Sequence, residues 1–338
     1  MAAGPGQSYS TLPRTKHPSR PVRTRLGRRA ESDLPRPSQR TLSHPATVDR
    51  HKILWPYVIS LSFYHFAALF TLIPWLFSWT GVALLVAGLY VFGTLGINLC
   101  FHRLLTHRGF SCPRWLEHGL ALLGVCCLQD TPARWVAVHR LHHQHSDDEP
   151  DPHSPLVTFF WSHVGWLLVE NRQVNSVLTY DRYARDVLKD PFYFAFEKHL
   201  LWVWVNLLQW SAFFGTGLAI GWFGGTLMDG VQFGLSLLVW GVFARTVAVW
   251  HITWSVNSAT HLWGYRNYQT GENSRNNWLV ALISNGEGWH NNHHADQRSA
   301  AHGHRWWEFD VTYLTILLLE KIGLVTDVVR PNQQTVDA

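Results

Sequence analysis

The sequence lacks charge where its apolar stretches are longest. From Ile53 to Phe101 there is no Asp, Glu, Lys or Arg, and from His199 to Ala244 Asp229 is the only charged residue. Charged side chains make up 15% of the 338 residues, against about 25% in soluble domains. Apolar runs of this length exclude a purely water-soluble protein. Cysteine is also scarce: Cys100, Cys112, Cys126 and Cys127 form no C-x-x-C pair, so a disulfide framework is excluded and reduced packing residues are expected. The first 52 residues contain no apolar segment of the signal-peptide kind, and a cleaved secretory leader is not expected. They also have no aromatic side chains interleaved with their basic ones, which run from Arg14 to Lys52 and face only Glu31, Asp33 and Asp49. Without rings to stack on bases, nucleic acid is excluded as a partner.

What is present fits a bilayer. A membrane core about 30 Å thick takes about 20 apolar helical residues to cross, so each uncharged block suits two crossings. Pro74 and Ser78-Trp79-Thr80-Gly81 break the first block, and Gly221, Gly224, Gly225, Asp229 and Gly230 break the second. The expected fold is an all-α integral membrane protein of four spans in two hairpins, at about residues 54–76, 81–101, 200–221 and 231–252, carrying a helical cap. The run 119–128 is too short to span and is expected as an amphipathic or buried helix. Residues 1–52 are expected as a disordered basic tail, residues 53–330 as the membrane domain and 331–338 as a C-terminal tail. A basic segment ahead of the first span places the tail on the cytoplasmic side and against anionic headgroups; its Arg- and Ser-rich, acid-poor composition also fits an organelle transit peptide. With four crossings, residues 102–198 and 253–338 share that side.

Every histidine cluster falls in those two segments. His290, His293 and His294 lie at i, i+3 and i+4, as do His139, His142 and His143, so each triplet presents three imidazoles from one helical face. Neutral imidazole suits iron, copper, zinc or nickel. Asn257 and His261 are also i and i+4. His102 and His107 are five apart, about 140° out of phase on a straight helix; either the helix distorts there or the two serve different metals. One metal ion rarely takes more than about four to six protein ligands, so these nine histidines imply two metals. His65, His163, His199, His251, His302 and His304 stand alone in sequence and are expected as packed or surface residues, as is His145 beside its triplet. Asp147 to Pro155 is a loop by its turn chemistry.

The set His-Arg-Leu-Leu-Thr-His, His-Arg-Leu-His-His, Asn-Ser-Ala-Thr-His and Gly-Glu-Gly-Trp-His-Asn-Asn-His-His resembles the membrane-bound fatty acyl desaturases of the Δ9, stearoyl-CoA desaturase-like branch. The resemblance runs over about residues 52–330, includes Asp151-Pro152-His153 and Phe160-Trp161-Ser162-His163-Val164-Gly165-Trp166-Leu167, and is nearer to bacterial and plant members. It implies two iron ions on the nine histidines, Asn257 reaching one metal through water, and a bent acyl tunnel shaped by Gln129, Trp135, Thr253 and Trp254. It also implies O2 as co-substrate and an electron donor such as cytochrome b5 or ferredoxin with its reductase. Where animal acyl-CoA enzymes carry a basic pair after Gly165-Trp166-Leu167-Leu168, this chain has Glu170-Asn171 and then Arg172. A carboxylate repels phosphate, which leaves acyl-CoA and acyl-lipid substrates both open.

Removing hydrogen from an unactivated methylene lies beyond side-chain acid and base chemistry, so a cofactor must do it. The expected reaction is insertion of a cis double bond into a saturated acyl chain with release of two waters. A hydroxylase or ketolase on the same histidine scaffold is the enzymatic alternative. A membrane metal transporter is a third reading; it requires ligands along the spans, whereas the triplets lie outside them.

Overall fold

The computed structural model describes residues 41–332; the expectations for the basic tail up to residue 40 and for residues 333–338 lie outside that range. The described part of the tail belongs to the fold. A strand β1, Val48–Ile53, pairs antiparallel with β2, Val169–Asn171. Lys52 Nζ meets Glu170 Oε1 at 2.8 Å across this ribbon, and Thr47 Oγ1 donates to Asn171 Oδ1 at 2.8 Å. Two expectations are thereby corrected. Order begins before residue 53, because the ladder and its ion pair satisfy the segment's polar groups, and the fold is mostly helical rather than all-α.

Helix α1, Trp55–Ala68, tightens into a single 3₁₀ turn over Leu69–Leu72 and stops. The expected span 54–76 is therefore not one continuous helix. Pro74 forces the extended conformation seen at Ile73 (ψ 114°), because its ring clashes with a helical residue before it. Helix α2, Trp79–Gly88, starts at Ser78, whose hydroxyl accepts from the Gly81 N–H, and runs on as a π-helix over Leu89–Thr106. Helix α3, Arg114–Val125, is the short helix expected near 119–128 and is shifted toward the N-terminus. It crosses the π-helix so closely that a Cβ on Gly96 would lie 2.4 Å from the Gly124 backbone nitrogen. Helix α4, Pro132–His145, opens with Thr131 as cap and Pro132 in its first turn.

Helix α5, Leu201–Gly224, is followed by α6, Leu227–Leu238, a π-helical stretch Val239–Ala244 and α7, Arg245–Ser258. Thr226 and Asp229 form a capping box at the turn between α5 and α6. Among the described residues three helices are long and apolar enough to cross a membrane: Trp79–Thr106, Leu201–Gly224 and Leu227–His261. The first and third overrun the expected spans 81–101 and 231–252, and the overrun carries His102 and the Asn257/His261 pair. The cap is closed by α8, His290–Ala295, and α9, Val311–Lys321. All four cysteines are free thiols.

Candidate metal centre

His102 and His107 come to one face because the helix distorts. The π-helical register joins residues five apart, and the His107 N–H donates to the His102 carbonyl at 3.1 Å. Their rings lie 4.7 Å apart, centroid to centroid. On α4, His139 and His143 share a face one turn apart, and on α8 His293 approaches from the other side. The resulting cluster joins His102, His107, His139, His143 and His293, with one ligand atom from each lying within 4.8 Å of all the others. A second cluster joins His142, His261, His290 and His294 under the same criterion. Each triplet is thus divided between the two clusters.

Eight of the nine histidines are buried, His107 being half-buried. In the first cluster Nε2 atoms face each other at 3.2 Å (His102 and His293), 3.0 Å (His139 and His143) and 3.0 Å (His143 and His293); in the second, His261 and His290 face at 3.1 Å. Two nitrogens held at right angles by one metal, each about 2.1 Å away, would be about 3.0 Å apart. The buried Nε2 atoms of His107 and His294 have no hydrogen-bond partner. Burial, reinforced by the neighbouring imidazoles, holds His139, His143, His290, His293 and His294 well below the usual histidine range. They are neutral at pH 7 with lone pairs available. This donor set fits transition-metal ions.

Carboxylates stand behind the imidazoles. His102 Nδ1 lies 2.6 Å from Glu287 Oε2, His142 Nδ1 3.0 Å from both Asp151 oxygens, and His261 Nδ1 2.9 Å from Asp147 Oδ2. Each accepts a hydrogen bond from Nδ1–H and turns the Nε2 lone pair inward. Burial alone would raise these carboxyl groups. Arg103 and two histidines outweigh it at Glu287, His142 and its hydrogen bond do so at Asp151, and His261 with the Ser154 and Asn273 donors does so at Asp147, so all three are held low and ionised. Glu287 is placed by a turn that only glycine allows. Gly286 has φ +119°, and a Cβ there would lie 2.4 Å from Asp310 Oδ1. Asn291 and Asn292, between the histidines of α8, are wholly buried and bond to the 267–276 loop, the His302 carbonyl and Glu308. They anchor a helix of six residues that is too short to stand alone.

Sequence reasoning treated 147–155 as turn chemistry and missed Asp147 and Asp151; the signal was acidic residues within one loop of a histidine triplet. Glu272 was also missed, and its Oε1 lies 3.6 Å from His294 Nδ1. Among the histidines read as isolated, His65, His251 and His163 form a hydrogen-bonded chain ending at Ser258, and His302 lies buried against His293.

A cavity opens beside His102 and His139. Its walls include Gln129, Trp135, Thr253, Trp254 and Asn257. Trp135 Nε1 is 3.4 Å from Gln129 Oε1, and Gln129 Nε2 donates to Thr253 Oγ1 at 3.0 Å, so three of these residues form one linked polar group in the wall. A second cavity shares Tyr57, Leu61, Leu128, Asp130 and Trp250 with the first and adds Thr131, Arg134, Tyr180 and Glu197.

Residues 73–310 match the family model described as fatty acid desaturase. The chain is 44% identical over 283 residues to the sn-1 stearoyl-lipid 9-desaturase of Anabaena variabilis, covering 84% of this chain and 96% of that protein. It is 40% identical over 284 residues to the sn-2 palmitoyl-lipid 9-desaturase of Nostoc sp. (strain 36), covering 84% and 93%. An acyl-CoA C20 Delta5-desaturase of Anemone leveillei is 38% identical over 260 residues, 77% of each chain.

Proposed function

The chain belongs to the fatty acid desaturase family and is an acyl desaturase, and from that premise we propose that it inserts a cis double bond at the Δ9 position of a saturated acyl chain esterified in a membrane lipid. The reaction balances as one acyl CH2–CH2, one O2, two electrons and two protons giving one CH=CH and two waters. Convergence of nine imidazoles into two clusters beside a cavity is the observation that carries this reading. His102, His107, His139, His143 and His293 would hold one metal ion, and His142, His261, His290 and His294 the other, with Asn257 contributing through water. Two iron ions held there would supply the dioxygen activation that no side chain offers.

The protein's own residues position and enclose. Gln129, Trp135, Thr253 and Trp254 fix where the acyl chain bends past the metals, and the apolar side chains of the wall, Leu61, Ile97, Leu167 and Trp250 among them, keep water from the reacting methylenes. The second cavity supports a lipid substrate over acyl-CoA. Its one arginine, Arg134, is already engaged by Asn175 Oδ1 at 2.6 Å and Asp130 at 3.5 Å, and Asp130 and Glu197 line it with carboxylates that disfavour phosphate. Glu170 enters this argument less than its sequence position suggests, because Lys52 neutralises it. We read the chain as crossing the membrane four times with both termini cytoplasmic, α1 and its 3₁₀ extension forming the fourth crossing, and as drawing electrons from a separate ferredoxin- or cytochrome b5-like partner.

Expression in a desaturase-deficient host, with the double bond located by mass spectrometry in each lipid class, tests the proposal. Loss of two hydrogens at C9–C10 in glycerolipid acyl chains is the expected result. Gain of oxygen without that loss would instead establish the hydroxylase alternative. In vitro, conversion of acyl-CoA but not of lipid-bound acyl chains in vesicles would overturn the substrate class alone.

A further inference from the structure

Two buried histidines outside the nine stand in matching places, one beside each cluster. The His302 ring lies against His293 at 4.3 Å between centroids, tilted by 32°; the His153 ring lies against His142 at 4.4 Å, tilted by 31°. Each also faces the carboxylate that orients a candidate ligand. His302 Nδ1 lies 3.3 Å from Glu287 Oε2, the oxygen that accepts the His102 Nδ1 proton. His153 Nδ1 lies 3.9 Å from Asp151 Oδ1, and the His153 backbone N–H donates to that same oxygen at 3.1 Å. His302 and His153 are 1% and 2% exposed, and no ring nitrogen of His302, nor Nδ1 of His153, has a hydrogen-bond partner.

We infer that His302 and His153 are a pair of positioning residues, each dedicated to one metal position: His302 clamps the His102–Glu287 unit and the His293 ring of the five-histidine cluster, and His153 clamps the His142–Asp151 unit of the four-histidine cluster. The inference rests on the two-metal reading. A ligand imidazole must have its tautomer and its ring plane fixed before metal arrives. The carboxylate sets the tautomer; it does not stop the ring from rotating about its bond to Cβ. A flat neighbour stacked on the ring blocks that rotation, and contact with the carboxylate holds the second half of the unit. Only a neutral ring suits the place. A lysine or arginine would bring positive charge to a cation site, and another carboxylate would compete as a ligand. Simple packing would explain buried rings without explaining why a histidine outside the nine lies at the same tilt on one histidine of each cluster, beside that cluster's orienting carboxylate.

The test is metal occupancy resolved by site. Full-length apoprotein in phosphatidylcholine nanodiscs is titrated with Co2+, following bound metal by mass spectrometry and the visible ligand-field bands, for the parent and for His302→Ala, His302→Phe, His153→Ala and His153→Phe. The parent should bind two ions with distinguishable bands. Each alanine variant should keep one ion and bind the other roughly 10- to 100-fold more weakly, with His302→Ala and His153→Ala losing opposite bands. The phenylalanine variants, which retain the stack without the nitrogen, should recover part of the loss. Loss of one chosen metal with retention of the other cannot come from misfolding, which removes both. Parental affinity at both positions in all four variants, or equal loss of both bands in each alanine variant, overturns the inference. Three or four ions on the parent overturn it too, by making His302 or His153 a ligand. No ion on the parent overturns the two-metal reading itself.

Discussion

Replacing Glu287 by Gln keeps shape and volume and removes one acceptor. Glu287 Oε1 takes two bonds from Arg103, from Nε at 3.1 Å and from Nη2 at 2.7 Å, while Oε2 takes the His102 Nδ1 proton at 2.6 Å. An amide has one oxygen to offer. If that oxygen faces Arg103, the amide N–H meets the His102 Nδ1–H, and His102 escapes the clash only by moving its proton to Nε2. That nitrogen lies 3.2 Å from His293 Nε2 inside the cluster, so its lone pair is lost to any metal. If the amide turns over, two sets of donors meet at Arg103 and the same charge is missing. Loss of a carboxylate behind a ligating histidine weakens metal binding about 10- to 100-fold, or about 1.4 to 2.8 kcal/mol. Removing one partner of a buried ion pair costs about 3 to 5 kcal/mol. Here Asp310 Oδ2 at 2.9 Å and the Ala300 carbonyl at 2.7 Å still hold Arg103, so about 1 to 3 kcal/mol is expected. Competition titration of the apoprotein with Co2+ measures the first quantity and thermal unfolding without metal the second. A Glu287→Gln protein that binds metal with parental affinity would refute the tautomer argument.

Three further outcomes follow from the same geometry. Five histidines buried in neutral form, namely His139, His143, His290, His293 and His294, have folded pKa values depressed below the ordinary 6.5, so the unfolded chain binds more protons in acid. Apoprotein stability should be at its plateau above about pH 6.5 and fall below it by up to about 1.4 kcal/mol per pH unit for each histidine; a melting temperature unchanged between pH 7.5 and 5.5 would contradict this. Trp135→Ala opens the wall between Gln129 and His139, on which the indole stacks at 4.9 Å, and should scatter the double bond over neighbouring positions, seen as several positional isomers where the parent makes one. Gly96→Ala drives a Cβ to 2.4 Å from the Gly124 nitrogen; overpacking of this kind costs about 1 to 3 kcal/mol and should lower the unfolding temperature in detergent, and a variant as stable as the parent would show that the π-helix and α3 yield more easily than their contact implies.

The histidines that cluster were legible because imidazole spacing is local. Three histidines at i, i+3 and i+4 share a helical face whatever surrounds them, and the count of nine already required two centres. The partition was not legible. A triplet on one face suggests three ligands to one metal, yet His142 and His143 point to different clusters, because adjacent residues on α4 diverge by about 100° and the clusters approach from two sides. His102 and His107 left a choice between a bent helix and separate metals that only the π-helical register resolves. The first span was read as continuous to residue 76 because hydropathy does not register how Pro74 constrains Ile73. Asp147 stood within one loop of a triplet, but turn residues and orienting residues share one chemistry, and its partner His261 lies 114 positions away.

The overrun of the long helices gives the candidate metal centre a rigid support. Trp79–Thr106 and Leu227–His261 contain 28 and 35 residues, about 42 and 52 Å at about 1.5 Å per residue, whereas the apolar core of a bilayer is about 30 Å thick. The surplus carries His102 and His261 beyond such a core on rods long and apolar enough to cross it, so these two candidate ligands inherit the stiffness of whole helices. The remaining ligands sit on α4 and α8, and α8 is so short that it depends on Asn291, Asn292 and the loop they grip. Ligand geometry is held best where helices carry it and is most vulnerable where loops do. His302 bears on His293 of α8, where the helix is too short to hold its own rings, and His153 bears on His142 of the 14-residue α4 from the loop that follows it.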